Sequence, residues 1–424
     1  MVLVLCFLVV AADGFDTAAI GFIAPALKEQ WKLVPQQLSN VFVAGLAGLM
    51  VGAFLLGPVA DRIGRKAVLL ISTIGFALAS IGTAWATNVD ELAIWRFVTG
   101  LGLGGAMPMA ITMTSEYSPE RSRSFLVMMM FCGFTVGGAL GGLAAAGLIA
   151  NYGWPSVFIL GGVLPLVLVP ILLVALPESV RYLVLKGGQD GRVAKILSRV
   201  DKQASLEGAH FTGIKKLQGS PVGQLFTRGL GGGTVLLWIT FFMSLLVYYL
   251  LTSWLPTLFK TAGYDQKTAA LIALMLPIGS TVGAFAIGAL MDRLSPHAVL
   301  FGSYTVAAAF IVLLGFSTAT PWLLIASVFG AGLGTGGSQI GINALAASYY
   351  PTANRATGVS WANAVGRTGS LVGSYVGGML LGLGWPLSMV FVAAAIPAFV
   401  AGLAILLKGF VLRNAEPTAV PQAA

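Results

Sequence analysis

The sequence predicts an all-α membrane protein with twelve transmembrane helices, arranged as two parallel six-helix repeats. Three observations carry this reading. Of 424 residues, 57% are hydrophobic and only 9% are charged, where a soluble domain has roughly a quarter of its residues charged. Apolar runs of about 20 residues, the length that spans a bilayer core as a helix, recur along the chain between short polar breaks. One internal offset then relates the first half to the second.

Twelve spans are expected at about 3–27, 39–60, 67–87, 91–116, 124–149 and 154–176, then 230–258, 267–290, 298–317, 321–347, 357–382 and 386–408. The organisation is accordingly an N-terminal bundle over 1–177, a polar cytoplasmic linker loop over 178–228, and a C-terminal bundle with its tail over 229–424. The 55 glycines fall inside apolar segments, where small residues let helices approach closely. The two cysteines, Cys6 and Cys132, lie in expected membrane helices, which argues against a disulfide framework or a zinc site. No metal cluster and no phosphate loop is legible. His210 and His297 lie in expected polar loops and suggest no chemistry. The net charge of +9 could suggest nucleic acid, but the basic residues gather in loops of one side, nine of them between 178 and 228.

That asymmetry sets orientation. With both termini cytoplasmic, the outer loops keep only Lys28, Lys32, Lys260 and Lys267, and Lys408 falls in the cytoplasmic tail. Asp13 and Asp16 interrupt the first apolar run, so it does not read as a cleavable signal. A short cytoplasmic leader is expected ahead of it.

The repeat is the decisive organisational feature. Gly57, Asp61 and Arg62 recur 231 residues later as Gly288, Asp292 and Arg293. At an offset of 232, Phe97 and the glycines at 100, 102, 104 and 105 recur as Phe329 and the glycines at 332, 334, 336 and 337. Tyr117, Arg123, Gly137 and Gly141 recur as Tyr349, Arg355, Gly369 and Gly373. Both halves have six spans and so share orientation, and such parallel repeats place a substrate site near the midplane.

Ionisable residues inside the spans are costly, and so are candidates for function. Asp13 and Asp16 are three apart on one helix face. Either could titrate as a proton-coupling site, or serve as the fixed partner of an intramembrane arginine. Glu116, at a helix end, is a third proton-coupling candidate, with simple solvation as its alternative. Arg367, near the middle of the eleventh span, suits a clamp for an anionic ligand, because a guanidinium stays charged and grips a carboxylate bidentately. Its alternative is interhelical pairing with Asp13 or Asp16. Arg96, nearer the outer end of the fourth span, is open between pairing with Glu116 or Asp16, substrate contact and proton relay. An aromatic ligand would need apolar walls with a few polar groups. Phe15, Tyr248, Tyr249, Trp254, Trp361 and Tyr375 are candidates for the walls, and Gln339, Asn343 and Asn363 for a hydroxyl.

Two motifs connect these residues to a known family. Gly57-x-x-x-Asp61-Arg62-x-Gly64-Arg65-Lys66 resembles the loop between the second and third helices of the major facilitator superfamily. The resemblance implies gating for Gly57, Asp61, Arg62, Gly64, Arg65 and Lys66, and for the weaker copy at Asp292 and Arg293, which lacks the trailing Gly-Arg-Lys. Asp13-Gly-Phe-Asp16-Thr-Ala-Ala-Ile-Gly-Phe-Ile-Ala-Pro25 resembles the first-helix signature of the aromatic acid:proton symporters, closest in wording to 4-hydroxybenzoate and protocatechuate permeases. Arg96–Pro108, Ser115–Arg121, Pro177–Leu183 and Gly366–Gly369 extend the match over the whole chain.

The resemblance implies proton-coupled uptake of small aromatic carboxylates by a monomer in a bacterial inner membrane, with protons as the coupling ion, no cofactor and no nucleic acid. The alternatives within the fold are carriers of another organic anion, a sugar or a drug. A drug exporter would carry a proline in its fifth-helix glycine motif, and Gly137-Gly-Ala-Leu-Gly141-Gly142 has none.

Overall fold

A computed structural model of the chain describes residues 1–200, 209, 211, 222–226, 230–350 and 355–414. His210 and four of the nine basic residues between 178 and 228, Lys202, Lys215, Lys216 and Arg228, lie outside them. Among the described residues there are fifteen α-helices and no strand. They are α1 Val2–Trp31, α2 Pro35–Ile63, α3 Arg65–Thr83, α4 Val89–Glu116, α5 Arg123–Tyr152, α6 Pro155–Ala175, α7 Val180–Lys186 and α8 Asp190–Val200, then α9 Gly231–Thr261, α10 Gln266–Ala273, α11 Met275–Met291, α12 Pro296–Leu314, α13 Pro321–Tyr349, α14 Arg355–Gly382 and α15 Leu387–Asn414.

Helix boundaries follow local chemistry. Proline stands in the first turn of α2, α12 and α13, where its missing N–H is not needed. Asn88 accepts a hydrogen bond from the Glu91 N–H at 2.9 Å and caps α4. Asp265 accepts from the Thr268 N–H at 3.1 Å and caps α10, and its hydrogen bonds with Thr268 hold its carboxyl below the usual range. These side chains satisfy helix-end donors that otherwise have no partner.

Eleven helices are long and apolar enough to cross a membrane, with α10 and α11 forming one span. The remaining expected span, α14, is 28 residues long but is not among the eleven. Arg355, Asn363, Arg367 and its serines and glycines dilute its apolar character. The least lipid-like span is thus the one that carries the central arginine. The expected linker also departs from a plain loop, because α7 and α8 lie within it. Val193 of α8 is buried against Tyr182 and Leu183 of α7, which gives these short helices a small core of their own.

The chain forms two compact units, Met1–Leu217 with Thr252–Pro277, and Gln218–Leu251 with Ile278–Ala424. This differs from a division at 229, because residues 252–277 pack within the first unit. There Gly21 of α1 lies against the Thr252 carbonyl, and Gln266 Nε2 donates to the Phe22 carbonyl at 2.9 Å. Lys260 Nζ pairs with Glu29 at 3.0 Å. Trp254 is only 1% exposed and meets Phe42 edge-on at 5.3 Å. It is a packing residue of the first unit, not a wall for a ring.

Inside the first unit α1 packs along α5, α2 along α4, and α3 along α4 and α6. The repeat seen in the sequence recurs as matched close approaches. Gly48 and Gly52 of α2 lie against the carbonyls of Phe97 and Leu101, and Gly279 and Gly283 of α11 lie against those of Phe329 and Leu333. Gly137 of α5 backs onto Ala11 of α1, as Gly369 of α14 backs onto Phe242 of α9. A side chain at any of these positions would force the helices apart. The glycines therefore specify the same scaffold twice.

Candidate functional site

The two units share a scaffold but carry different chemistry at equivalent positions. In the first unit, Asp16 of α1 and Arg96 of α4 are 0% and 3% exposed. Arg96 Nη1 meets Asp16 Oδ2 at 2.7 Å, and Nη2 donates to the Asp16 carbonyl at 3.3 Å. Ser80 of α3 donates to Asp16 Oδ1 at 2.7 Å, and the guanidinium lies 5.3 Å from the centre of the Phe158 ring of α6. Four helices thus meet on one ion pair. The alternatives left open by the sequence resolve here: the cation that pairs with Asp16 is Arg96. Asp13, 1% exposed, accepts from Thr17 Oγ1 at 3.1 Å one turn earlier. Phe15 is buried with its ring against Gly161 and near Gly141, which places it inside the packing of the first unit.

The second unit holds the other arginine. Arg367 of α14 donates to Tyr249 Oη of α9 at 3.2 Å. One turn earlier, Asn363 Nδ2 donates to Asn343 Oδ1 of α13 at 2.9 Å, and Asn343 Nδ2 donates to the Gln339 carbonyl at 2.8 Å. Ser244 of α9 donates to Gln339 Oε1 at 2.8 Å. Trp361 stacks on Trp238 at 6.1 Å and is 41% exposed, and Tyr248 sets its ring edge-on to Tyr249 at 5.8 Å. The structure therefore brings Arg367, Asn363, Asn343 and Gln339 into one polar ribbon across α14 and α13, flanked by the α9 tyrosines. Such a ribbon offers a permanent cation, amide donors and acceptors, and ring faces.

The repeat offset sharpens this division. The position equivalent to Arg367 is Thr135, that of Arg96 is Val328, that of Asp16 is Val247 and that of Asp13 is Ser244. Nothing in the shared scaffold requires these ionisable groups, because the other copy folds without them.

The motif at the α2–α3 turn forms a third cluster, inside the first unit. Gly64 adopts φ +104°, which favours glycine. Asp61 pairs with Arg65 at 2.9 Å, and the Arg65 guanidinium lies over Tyr182 at 5.4 Å. Tyr182 Oη donates to the Arg62 carbonyl at 3.0 Å. Lys66 Nζ donates to the Leu173 carbonyl at 2.7 Å. An aspartate at such a turn can pair with an arginine or cap a helix. Asp61 pairs, and the cap comes from a residue that sequence reasoning missed. Glu178 Oε1 accepts the N–H groups of Arg65 at 2.9 Å and Lys66 at 3.0 Å, and so meets the positive end of α3. Its signal in the sequence is the run Pro177-Glu178-Ser179. Glu116 accepts from Ser179 Oγ at 2.5 Å in the same cluster.

Exposure decides which acid matters more to stability. The Asp61 side chain is 58% exposed, so its pair contributes under about 1 kcal/mol. Glu178→Ala would orphan three backbone donors, the N–H groups of Arg65, Lys66 and Ser179, at about 1–3 kcal/mol each. Glu178→Ala is expected to lower the thermal midpoint well below that of Asp61→Asn in detergent, and the opposite order would overturn the assignment.

The second copy of the motif differs. Asp292 and Arg293 are exposed at the end of α11. The position equivalent to Glu178 is Gly409, which abuts His297 of α12. Lys408 beside it is 0% exposed, 3.4 Å from His297 Nε2 and 4.1 Å from the centre of the Tyr349 ring. Two expectations are corrected here. Lys408 is buried in α15 rather than solvated in a tail, and His297 lies in the first turn of α12 rather than in a loop. Tyr349 gives the cation an aromatic face.

The major facilitator superfamily model matches residues 6–298 and 266–424. The chain belongs to that superfamily. Among curated relatives, it is 45% identical to the 4-hydroxybenzoate transporter PcaK of Pseudomonas aeruginosa over 97% of this chain and 92% of that one. It is 44% identical to the gallate transporter of Pseudomonas putida over 98% and 93%. The solved inward-open xylose transporter XylE of Escherichia coli matches with a TM-score of 0.75, over 99% of this facilitator and 97% of that chain. At 16% identity that likeness establishes the fold and leaves the cargo to the site.

Proposed function

We propose that this facilitator imports small aromatic carboxylates such as hydroxybenzoates together with protons, by alternating access, as a monomer in a bacterial inner membrane with both termini cytoplasmic. It is a multi-pass membrane carrier and not an enzyme. The single observation that carries the reading is the Arg367 ribbon: a guanidinium bonded to the Tyr249 hydroxyl, one helical turn from Asn363, whose amide links to Asn343 and through it to Gln339. A carboxylate entering an apolar span needs a fixed cation, and a ring hydroxyl needs an oriented amide. The aromatic acids in the names of the curated relatives combine those two groups.

Proton coupling rests on the first unit. Asp16 already has its cation in Arg96, so the charge on Asp13 can change without dismantling that pair. Asp13 is therefore the proton carrier, and the Asp16–Arg96 pair is the fixed charge beside it. In proteoliposomes with an imposed inward proton gradient, wild type should accumulate 4-hydroxybenzoate and not xylose. Asp13→Asn should still exchange 4-hydroxybenzoate across the membrane at equilibrium but fail to concentrate it. Accumulation by Asp13→Asn with unchanged pH dependence would move the coupling site elsewhere, and uptake of xylose instead would overturn the substrate class.

A further inference from the structure

Behind the polar ribbon of the second unit lies a pair of hydroxyls that sequence reasoning did not single out. Tyr304 of α12 and Ser244 of α9 are both 0% exposed. Tyr304 Oη donates to Ser244 Oγ at 2.7 Å, and Ser244 Oγ donates to Gln339 Oε1 at 2.8 Å. The chain runs one way. Tyr304 gives its proton to serine, so the serine gives its own to the glutamine carbonyl oxygen. A carboxamide has one acceptor side and one donor side, and fixing Oε1 fixes where the Nε2 donors point.

We propose that Tyr304 and Ser244 are positioning residues for ring-hydroxyl selectivity. They hold the Gln339 amide so that it presents Nε2, a donor, to the oxygen of a substituent on the aromatic ring. This rests on the reading of Arg367 as the carboxylate clamp, and assigns the opposite end of the same ligand.

Three observations support a directing role over mere core satisfaction. Gln339 is half-buried while both hydroxyls behind it are fully buried, so the relay runs from the interior of the unit towards its accessible side. The neighbouring amide is also locked: Asn343 spends Oδ1 on Asn363 and Nδ2 on the Gln339 carbonyl. Asn363 in turn spends Nδ2 on Asn343 Oδ1 and the Val359 carbonyl, at 2.9 and 3.0 Å, and its Oδ1 is an acceptor. Donor and acceptor together match a hydroxyl, which is both. Finally, the repeat shows that the scaffold does not require the relay. The positions equivalent to Tyr304 and Gln339 are Thr73 and Met107, and Thr73 donates within its own helix, to the Leu69 carbonyl at 2.7 Å.

The test is a selectivity ratio. The affinities of purified protein for 4-hydroxybenzoate and for benzoate are measured by calorimetry in wild type, Tyr304→Phe, Ser244→Ala and Ser244→Thr. Wild type is expected to prefer the hydroxylated acid. Tyr304→Phe and Ser244→Ala should each lower that preference by about 3- to 10-fold, the size of one oriented hydrogen bond. Ser244→Thr, which keeps the hydroxyl, should restore most of it. A structural defect alone would weaken both acids together and leave the ratio unchanged. An unchanged ratio in Tyr304→Phe and Ser244→Ala, with both acids still bound, would overturn the relay and spare the substrate class. Failure of wild type to bind either acid would overturn both.

Discussion

Arg367→Ala is expected to weaken binding of 4-hydroxybenzoate by at least about 30-fold. Truncating one partner of a buried charged hydrogen bond costs about 2–5 kcal/mol, and the carboxylate would be left in an apolar span without a fixed cation. Arg367→Lys keeps the charge but loses the planar fork, so it should fall between alanine and wild type. The decisive measurement pairs each protein with the acid and with its neutral amide. Wild type should discriminate strongly between 4-hydroxybenzoate and 4-hydroxybenzamide, and Arg367→Ala only weakly, because the two losses remove the same interaction and cannot add. Equal discrimination in both proteins would move the clamp away from Arg367. Arg96 would be a poor replacement, since its guanidinium already holds Asp16 at 2.7 Å.

Asp16→Asn is expected to give the largest loss of stability among substitutions in the first unit. Both partners of the Asp16–Arg96 pair are almost fully buried, and removing one leaves the other charge uncompensated at about 3–5 kcal/mol. The double variant Asp16→Asn, Arg96→Gln removes both charges and should recover much of that loss. Thermal midpoints of the four proteins in one detergent measure the coupling directly. A double variant less stable than either single one would mean that the pair does not act as a unit. Asp13→Asn, which leaves the pair intact, should unfold close to wild type, so its transport defect can be read without a folding defect.

The sequence alone determined the helical membrane class, the spans and the duplication. These depend on quantities written locally or at a fixed offset: runs of apolar residues long enough for a bilayer, and glycines that repeat because helix pairs must approach closely twice. It also determined which residues are chemically expensive. Asp13, Asp16, Arg96 and Arg367 are conspicuous because lipid penalises charge wherever it occurs along the chain.

What it could not determine is who pairs with whom. Asp16 finds Arg96 across 80 residues and Arg367 finds Tyr249 across 118, and no periodicity encodes such distances. Trp254 and Lys408 show the same limit from the other side: a tryptophan in an apolar span reads as a ligand wall and a lysine at the end of the last span as solvated, yet both are buried in helix packing. The Glu178 cap on α3 and the Tyr304–Ser244 relay were invisible for a related reason. A glutamate beside a polar loop and hydroxyls in an apolar helix are unremarkable by composition, and gain their roles only when packing directs their lone pairs and protons at one partner. The physical division is that solvent transfer acts on each residue by itself, whereas hydrogen bonds and ion pairs act within about 3 Å, a separation that only the packed helices set.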